Sequence, residues 1–569
     1  MTKPQNATSQ MDWNGRASQL LAAQKLPELQ RLLEQVLLGQ PENNEARQLL
    51  GVAHSMQGRH AEGVKHLSLA IALSDFEPDW TFNLANILRN DGQTELALLT
   101  YRRLLVQAPG HAQAWFNLAN LLSEQQIHGQ AIDAYRRALL ADPSYLKAMV
   151  NLASSLSRVG DFDGALKIFR QILASDPKHV GARNNMANLL RDLGQPQEAR
   201  RILLELANED PASARVQNNL GSAWREIGDL QQSLACYRKA IELKADYPEG
   251  QMNYAMALLT DGQWEPGWRH YEARLDPRLQ VAASVAPENT VRWTGQVLTG
   301  KRILVHGEQG LGDMLQFCRF VPMLEKMGAE VFLLTDRNLK RLLQTLDMRA
   351  PVLSSGDAIP RDLHFQVSLL SLPLYLGIFS PSQFHSDPYL KAQPDAVARW
   401  QSQLDSRFSK SARDARLRVG LVWAGNPRRE MPLASLVDKR RSLPLAQARQ
   451  LVLAHPQIDW VSLQKGEQQD GIDEIYSAAS SLNDFADTAA LCQALDAVVT
   501  VDTSVAHLCG SIGRPTIMLS RFDACWRWGL KGVQTPWYKS MRIVRQSSYG
   551  DWSNALQQVG AELDALGNR

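Results

Sequence analysis

Residues 112–145 read AQAWFNLANLLSEQQIHGQAIDAYRRALLADPSY, and the same outline returns on either side of them. Asn117 stands 34 residues from both Asn83 and Asn151, and the step continues to Asn185, Asn219 and Asn253. Small residues keep the period at Ala97, Ala131, Ala165, Ala199, Ser233 and Gly267; large ones keep it at Tyr101, Tyr135, Phe169, Leu203, Tyr237 and Tyr271. Glycine recurs at 92, 160, 194, 228 and 262, and proline at 109, 143, 177 and 211. This order predicts a helix, a glycine-containing turn, a second helix and a proline stop. The small column lets the two helices approach, and the large column fills the gap between them. One such unit cannot bury its apolar face alone, so the units must stack.

The length and pattern resemble the tetratricopeptide repeat over about the first 275 residues, which implies a helical superhelix with a concave groove. Asparagine is a mediocre helix former, and six successive first helices carry one in the same column. In the resembling repeat the column faces the groove, where an amide both donates to and accepts from a peptide backbone. Asn83, Asn117, Asn151, Asn185, Asn219 and Asn253 are therefore the expected acceptor-binding residues. Asn86, Asn120 and Asn188, one turn further on, are expected to widen the strip. The competing reading is that the amides bond the neighbouring repeat and set the pitch. Leu49 breaks the column, so the helices before it read as a cap or a divergent repeat. The aromatic end of the array, Trp264 to Arg274, is expected to dock on the next domain, and Asp276 to Asn289 reads as a linker.

Composition narrows the class. With 61 basic and 59 acidic side chains the chain lacks the global charge that binds nucleic acid or an anionic membrane. Its five cysteines are scattered, odd in number and without a C-x-x-C pair, which fits a reducing compartment and suggests no zinc site. The first ten residues have no apolar core, and no run approaches the ~20 apolar residues of a membrane span. The expectation is a cytoplasmic protein with no membrane span and no nucleic-acid partner.

From Lys301 the periodicity changes. Ile303–Val305, Val331–Leu334 and Phe365–Leu370 are short apolar runs separated by helical patterns such as Asp336 to Leu346. After the charged segment Ala396 to Arg416 the alternation resumes at Val419–Trp423, Asp459–Leu463, Ala497–Val501 and Thr516–Leu519. That is the signature of two doubly wound α/β lobes, whose ligands bind at the carboxyl ends of the strands. His306-Gly-Glu-Gln309-Gly310-Leu-Gly-Asp313 comes after the first run and opens a helix, where free N–H groups favour an anion. Its spacing, G-x-x-G-x-G-D, fits neither the dinucleotide fingerprint nor the Walker pattern. Asp313 reads equally well as a helix cap. Further polar residues fall at the later strand ends: Asn426 after Trp423, Gln464 and Lys465 after Leu463, and Asp502, Thr503, Ser504 and His507 after Val501. Asp502 alone reads as an N-cap, His507 alone as a core histidine, and Lys439-Arg440-Arg441-Ser442 as a basic cluster in a solvated loop.

In combination these segments resemble the bacterial tetratricopeptide-repeat glycosyltransferases. Their catalytic half is similar to the heptosyltransferases and, more distantly, to the O-linked N-acetylglucosamine transferases, all of the GT-B fold. The residues that carry the resemblance are Gly307–Asp313 with Gln316 and Phe317, Arg440–Ser442, Ser462–Lys465, Asp484-Phe-Ala-Asp487-Thr-Ala-Ala490 and Val501–His507. The heptosyltransferase motif has glycine where this chain has Ser504. The resemblance implies an inverting, metal-independent transfer of a sugar from a nucleotide-sugar donor, with no further cofactor. Asp313 takes the position of the general base. Gln309, Gly310, Asn426, Lys439, Arg440, Arg441, Ser442, Gln464, Lys465, Asp502, Thr503, Ser504 and His507 are the implied donor-binding residues. The implied domains are a repeat superhelix at 1–275, a linker at 276–292, and GT-B lobes at 293–400 and 401–569. The expected function is transfer to Ser or Thr of a protein held in the repeat groove, flagellin being an acceptor by family analogy. Two alternatives stand beside it: a lipopolysaccharide or polysaccharide transferase whose repeats recruit partners, and a non-catalytic repeat scaffold.

Overall fold

The computed structural model describes residues 13–279, 290–349, 351–408, 416–466 and 471–567. Most of the expected linker, 280–289, and part of the charged segment, 409–415, lie outside them. The chain's own contacts divide it into two compact units, one up to Ala182 and one from Arg183 on. The expected boundary near 275 marks where helices give way to strands. The units part earlier, inside the repeat array.

The first unit is built of helix pairs that begin at Trp13–Ala22 and Leu26–Gly39 and run to Leu146–Val159 and Phe162–Ser175. The region before Leu49 is therefore made of the same two-helix units as the rest. The turn column is a column of left-handed backbone: Gly58, Gly92 and Gly160 have φ of 78°, 77° and 89°. At the equivalent place Gln126 holds φ 62°. A side chain there is strained, since only glycine visits this region without steric cost. Gln126→Gly is expected to raise the unfolding free energy of this unit by about 0.5–1 kcal/mol, read as a higher urea midpoint at unchanged slope.

The unit from Arg183 holds the remaining repeats, with complete pairs Ala214–Ile227/Leu230–Leu243 and Pro248–Thr260/Trp264–Tyr271, and two sheets. Strands β1 (Val291–Arg292), β2 (Arg302–His306), β3 (Glu330–Thr335), β4 (Val352–Ser354) and β5 (Phe365–Ser368) form a parallel sheet ordered β1-β5-β2-β3-β4. Strands β6 (Arg418–Val422), β7 (Asp459–Ser462), β8 (Tyr476–Ser477), β9 (Ala497–Val501), β10 (Thr516–Ser520), β11 (Gln534–Thr535) and β12 (Tyr538–Arg545) form the second, ordered β11-β12-β10-β9-β6-β7-β8. Only the β11–β12 pair is antiparallel. The expected division at 400 falls inside the helix Pro394–Arg407, which packs on the helix Phe485–Ala494 of the second sheet. Among the described residues no helix is long and apolar enough to cross a membrane.

In each sheet the chain leaves one strand to one side and returns on its other side. The reversal lies between β2 and β5 in the first sheet and between β6 and β9 in the second. Such a point opens a crevice at the strands' carboxyl ends, where α/β proteins bind ligands.

The end of the repeat array enters this unit's core, as its aromatic content predicts. Trp268 donates its indole N–H to the Ile378 carbonyl at 3.1 Å. Its ring stands edge-on to Phe317 and Trp526, and Trp264 stands edge-on to Phe384 and Trp537. Aromatic pairs of this geometry contribute about 0.5–1.5 kcal/mol each beyond the area they bury.

Candidate functional site

The two crevices differ. That of the first sheet is filled by Arg274, a fully buried side chain from the turn that ends the last repeat. Its guanidinium donates to Glu308 Oε1 at 2.7 and 3.0 Å, to Ser368 Oγ at 3.2 Å and to Ser371 Oγ at 2.8 Å. Glu308 lies just past β2, and Ser368 ends β5. A buried guanidinium is costly unless it is paired, and here Glu272 supplies a second anion at 2.7 Å. Beside it Gln309 is paired with the Tyr271 hydroxyl at 3.4 Å, so this expected donor contact faces the repeat end instead.

The crevice of the second sheet is open, with a volume of about 430 Å³. Its walls come from the segments after β6, β7 and β9: Gly425 and Asn426, Gln464 and Lys465, Thr503 and Ser504. Asn338, Asn483, Asp484 and Thr488 complete it. Gln464 is buried and acts as a brace. Its Oε1 accepts from the Trp423 and Ala424 N–H groups at 3.2 and 3.0 Å, and its Nε2 donates to the Ala424 carbonyl at 3.0 Å. With both ends of its amide engaged, it shapes the β6 loop and has no group left over to read a ligand. Lys465 is held by the Leu482 carbonyl. Asn426 is exposed and accepts from the Arg428 N–H at 3.2 Å.

The helix Ser504–Ser511 points its N-terminus at this space, with Thr503 rather than Asp502 as its cap residue and no side-chain cap bond. Its first N–H groups are left to water or to an anion. His507 lies one turn in and is buried, its Nδ1 2.9 Å from the Tyr538 hydroxyl and its ring stacked on Trp528. Burial, with the charges of Arg527 and Arg319, holds its pKa well below the ordinary value, so it is neutral. It is a core histidine as well as a member of the motif.

The basic cluster is placed otherwise than expected. Lys439, Arg440 and Arg441 end the helix Pro432–Arg441 and are not in a loop. Arg440 turns to Glu226 of the repeat array at 3.1 Å and to the Tyr549 hydroxyl at 2.9 Å. Arg441 pairs with Asp438 at 2.7 Å, and Ser442 Oγ accepts from the Gly425 N–H at 3.2 Å. Glu226 and Asp438 are buried, and each is met by one of these cations. Asp484 and Asp487 instead clasp Arg341 of the first sheet at 3.2 and 3.0 Å.

Across the cavity's edge stands the helix Leu311–Phe317. Asp313 is its third residue and accepts from the Gly310 N–H at 3.1 Å, so it does cap the helix. It also pairs with Arg527, a partner that no sequence pattern announces. Two of the loop's glycines, Gly307 and Gly312, make room for the protein's own side chains. A Cβ on Gly307 would collide with Met314 Sδ, and one on Gly312 would lie 2.8 Å from His507 Cδ2 and 3.6 Å from Ser504 Cα. Gly312 thus lets the helices Leu311–Phe317 and Ser504–Ser511 touch, and Asp313 follows it directly in the chain.

The asparagine column makes inter-repeat bonds. In the first unit Asn117 and Asn151 donate to Asn86 and Asn120 of the preceding repeat, both at 2.8 Å. The same two carbonyls accept from the Tyr101 and Tyr135 hydroxyls, whose pKa burial pushes up to about 12. In the second unit Asn219 donates to Asn184 at 2.9 Å and Asn253 to Asn218 at 3.0 Å. Asn185 accepts from Asn184 at 3.2 Å, and Asn83 is half-buried on Pro78–Asn90. Asn86 and Asn120 are thus braces rather than a widened strip, and the Asn188 Oδ1 is buried without a partner among the described residues.

Comparison with known proteins defines the class of the first half. Tetratricopeptide-repeat family models match residues 15–78, 82–145, 156–221 and 214–247, so the chain contains an array of that repeat. Among individual proteins, Protein FlbA of Caulobacter vibrioides is 27% identical over 348 residues, covering 55% of this chain and 54% of FlbA. The chain therefore matches about half the length of that relative. Among solved structures, a tetratricopeptide-repeat protein of Parabacteroides merdae is 17% identical, covering 43% of this chain and 98% of its own, with a TM-score of 0.38. YrrB, described as a repeat protein with an unusual peptide-binding site, is 21% identical, covering 33% and 96%, with a TM-score of 0.28.

Proposed function

We propose that the protein moves a sugar from a nucleotide-activated donor to a Ser or Thr hydroxyl of a polypeptide, with inversion at the anomeric carbon. One observation carries the reading: an open crevice at a chain-reversal point, ended by a helix N-terminus and touching, through Gly312, the helix that carries Asp313. The resemblance noted from the sequence assigns a base to that position. In this reading the nucleotide fills the cavity and its phosphate lies at the start of Ser504–Ser511, where unbonded N–H groups favour negative charge. Lys465 is a cation of the cavity wall. Asp313 takes the proton of the acceptor hydroxyl as its oxygen bonds the anomeric carbon. The bond from that carbon to the phosphate oxygen breaks, and its electron pair leaves on the phosphate. The half-buried asparagines of the first unit, Asn83, Asn117 and Asn151, are the proposed hold on the acceptor backbone.

The test has two arms. Thermal unfolding is followed with nucleoside mono- and diphosphates, of which the one that fits is expected to stabilise the protein by about 2.7 kcal/mol at a hundredfold excess over its Kd. Intact-mass measurement of a flagellin or other co-expressed acceptor then reads the transfer. If no nucleotide moves the midpoint and no acceptor gains a sugar mass, the proposal is wrong.

A further inference from the structure

The two oxygens of Asp313 are held from different halves of the second unit. Its Oδ2 accepts from Gly310 in its own loop, whereas its Oδ1 accepts from Arg527, in the segment after β10. Arg527 is itself fixed on three sides. Its Nε donates to Gln316 Oε1 at 2.7 Å, its Nη1 reaches Cys525 Sγ at 3.3 Å, and its guanidinium lies over Trp526 at 4.2 Å. Trp526 in turn is packed among Trp268, Phe317 and Trp537. Gln316 is fully buried, and its Nε2 has no partner among the described residues, so its side chain is oriented by Arg527. Burial acts to lower the Arg527 pKa, but Asp313, Cys525 and Tyr271 together outweigh it, so the pKa is raised and the group stays a cation.

We infer that Arg527, carried by the segment after β10, is the positioning residue for Asp313 and selects the orientation of its carboxylate. The inference rests on the transferase reading above. A carboxylate with one backbone bond turns about its χ angles; a second bond, from a guanidinium whose own plane is fixed, selects one rotamer. Misplacing a base by about 1 Å costs on the order of 10²-fold in rate.

Arg527→Ala and Arg527→Lys are assayed for transfer, with kcat and KM separated, and for nucleotide-induced stabilisation. Arg527→Ala is expected to lower kcat about 10²-fold, to keep the nucleotide-induced shift, and to regain activity when free guanidinium ion fills the space. Arg527→Lys keeps the charge without the fork and is expected to fall between it and the wild type. An unchanged kcat in Arg527→Ala overturns the inference. So does a loss that guanidinium does not restore and that Arg527→Lys shares in full, because that outcome marks a packing role. Wild-type protein that transfers no sugar removes the transferase reading, and this inference with it.

Discussion

Asp313→Asn is expected to abolish transfer while leaving nucleotide binding in place. An isosteric amide keeps the shape of the side chain, and its carbonyl still accepts from Arg527 or from Gly310, so the helix start and the contact through Gly312 survive. What it lacks is the capacity to take a proton. General-base catalysis contributes about 10²–10⁴-fold, and kcat is expected to fall within that range. The nucleotide-induced rise in midpoint should match that of the wild type, because the cavity is lined by other residues. A variant that keeps full kcat would mean that the proton goes elsewhere and that Asp313 is only a cap. One that loses the nucleotide shift as well would mean that its ion pair with Arg527 holds the cavity together.

The largest effect on stability is expected at Arg274. Its side chain is 0% exposed and that of Glu308 is 1% exposed, so neither charge has water to fall back on. Arg274→Met leaves Glu308 buried without its cation and is expected to cost about 3–5 kcal/mol, read as a lower urea midpoint for the unit from Arg183. The double variant Arg274→Met with Glu308→Leu is expected to recover most of that loss, since apolar side chains often replace a buried pair at little cost. Recovery by the double variant is the decisive result. If it stays as unstable as Arg274→Met, the site depends on the arginine's bonds to Ser368, Ser371 and the Tyr271 carbonyl rather than on the charge pair.

The repeat array is legible in the sequence because its period is local: glycine, small and aromatic residues each keep one geometric job at fixed spacing. Strands β2, β3, β6, β7, β9 and β10 are legible as short apolar-rich runs between helical patterns. Strand β12, Tyr538–Arg545, escapes because polar residues interrupt its run, and β1, β4, β8 and β11 because they are two or three residues long. At the site, Asn426, Gln464, Lys465, Thr503 and Ser504 come together by one topological rule, that strand ends at a chain reversal converge. Arg440 and Arg441 depart from expectation because charge alone does not say which buried anion a cation will meet. Arg527 and Arg274 escape on the same principle. Their partners lie 214 and 34 residues away, and no spacing announces such a pair.

The docking of Trp264, Trp268 and Arg274 into the sheets bears on how such a chain can be rearranged. The period of the repeat and the compact units of the chain do not coincide: the end of the array shares a core with the sheets, and the compact unit that holds that core begins at Arg183. An exchange of arrays between related chains that cuts at the visible change of secondary structure would strip Trp268 and Arg274 from their partners. A cut near Ala182 would carry the docking surfaces along with the sheets, leaving the earlier repeats as the part free to vary in number and sequence.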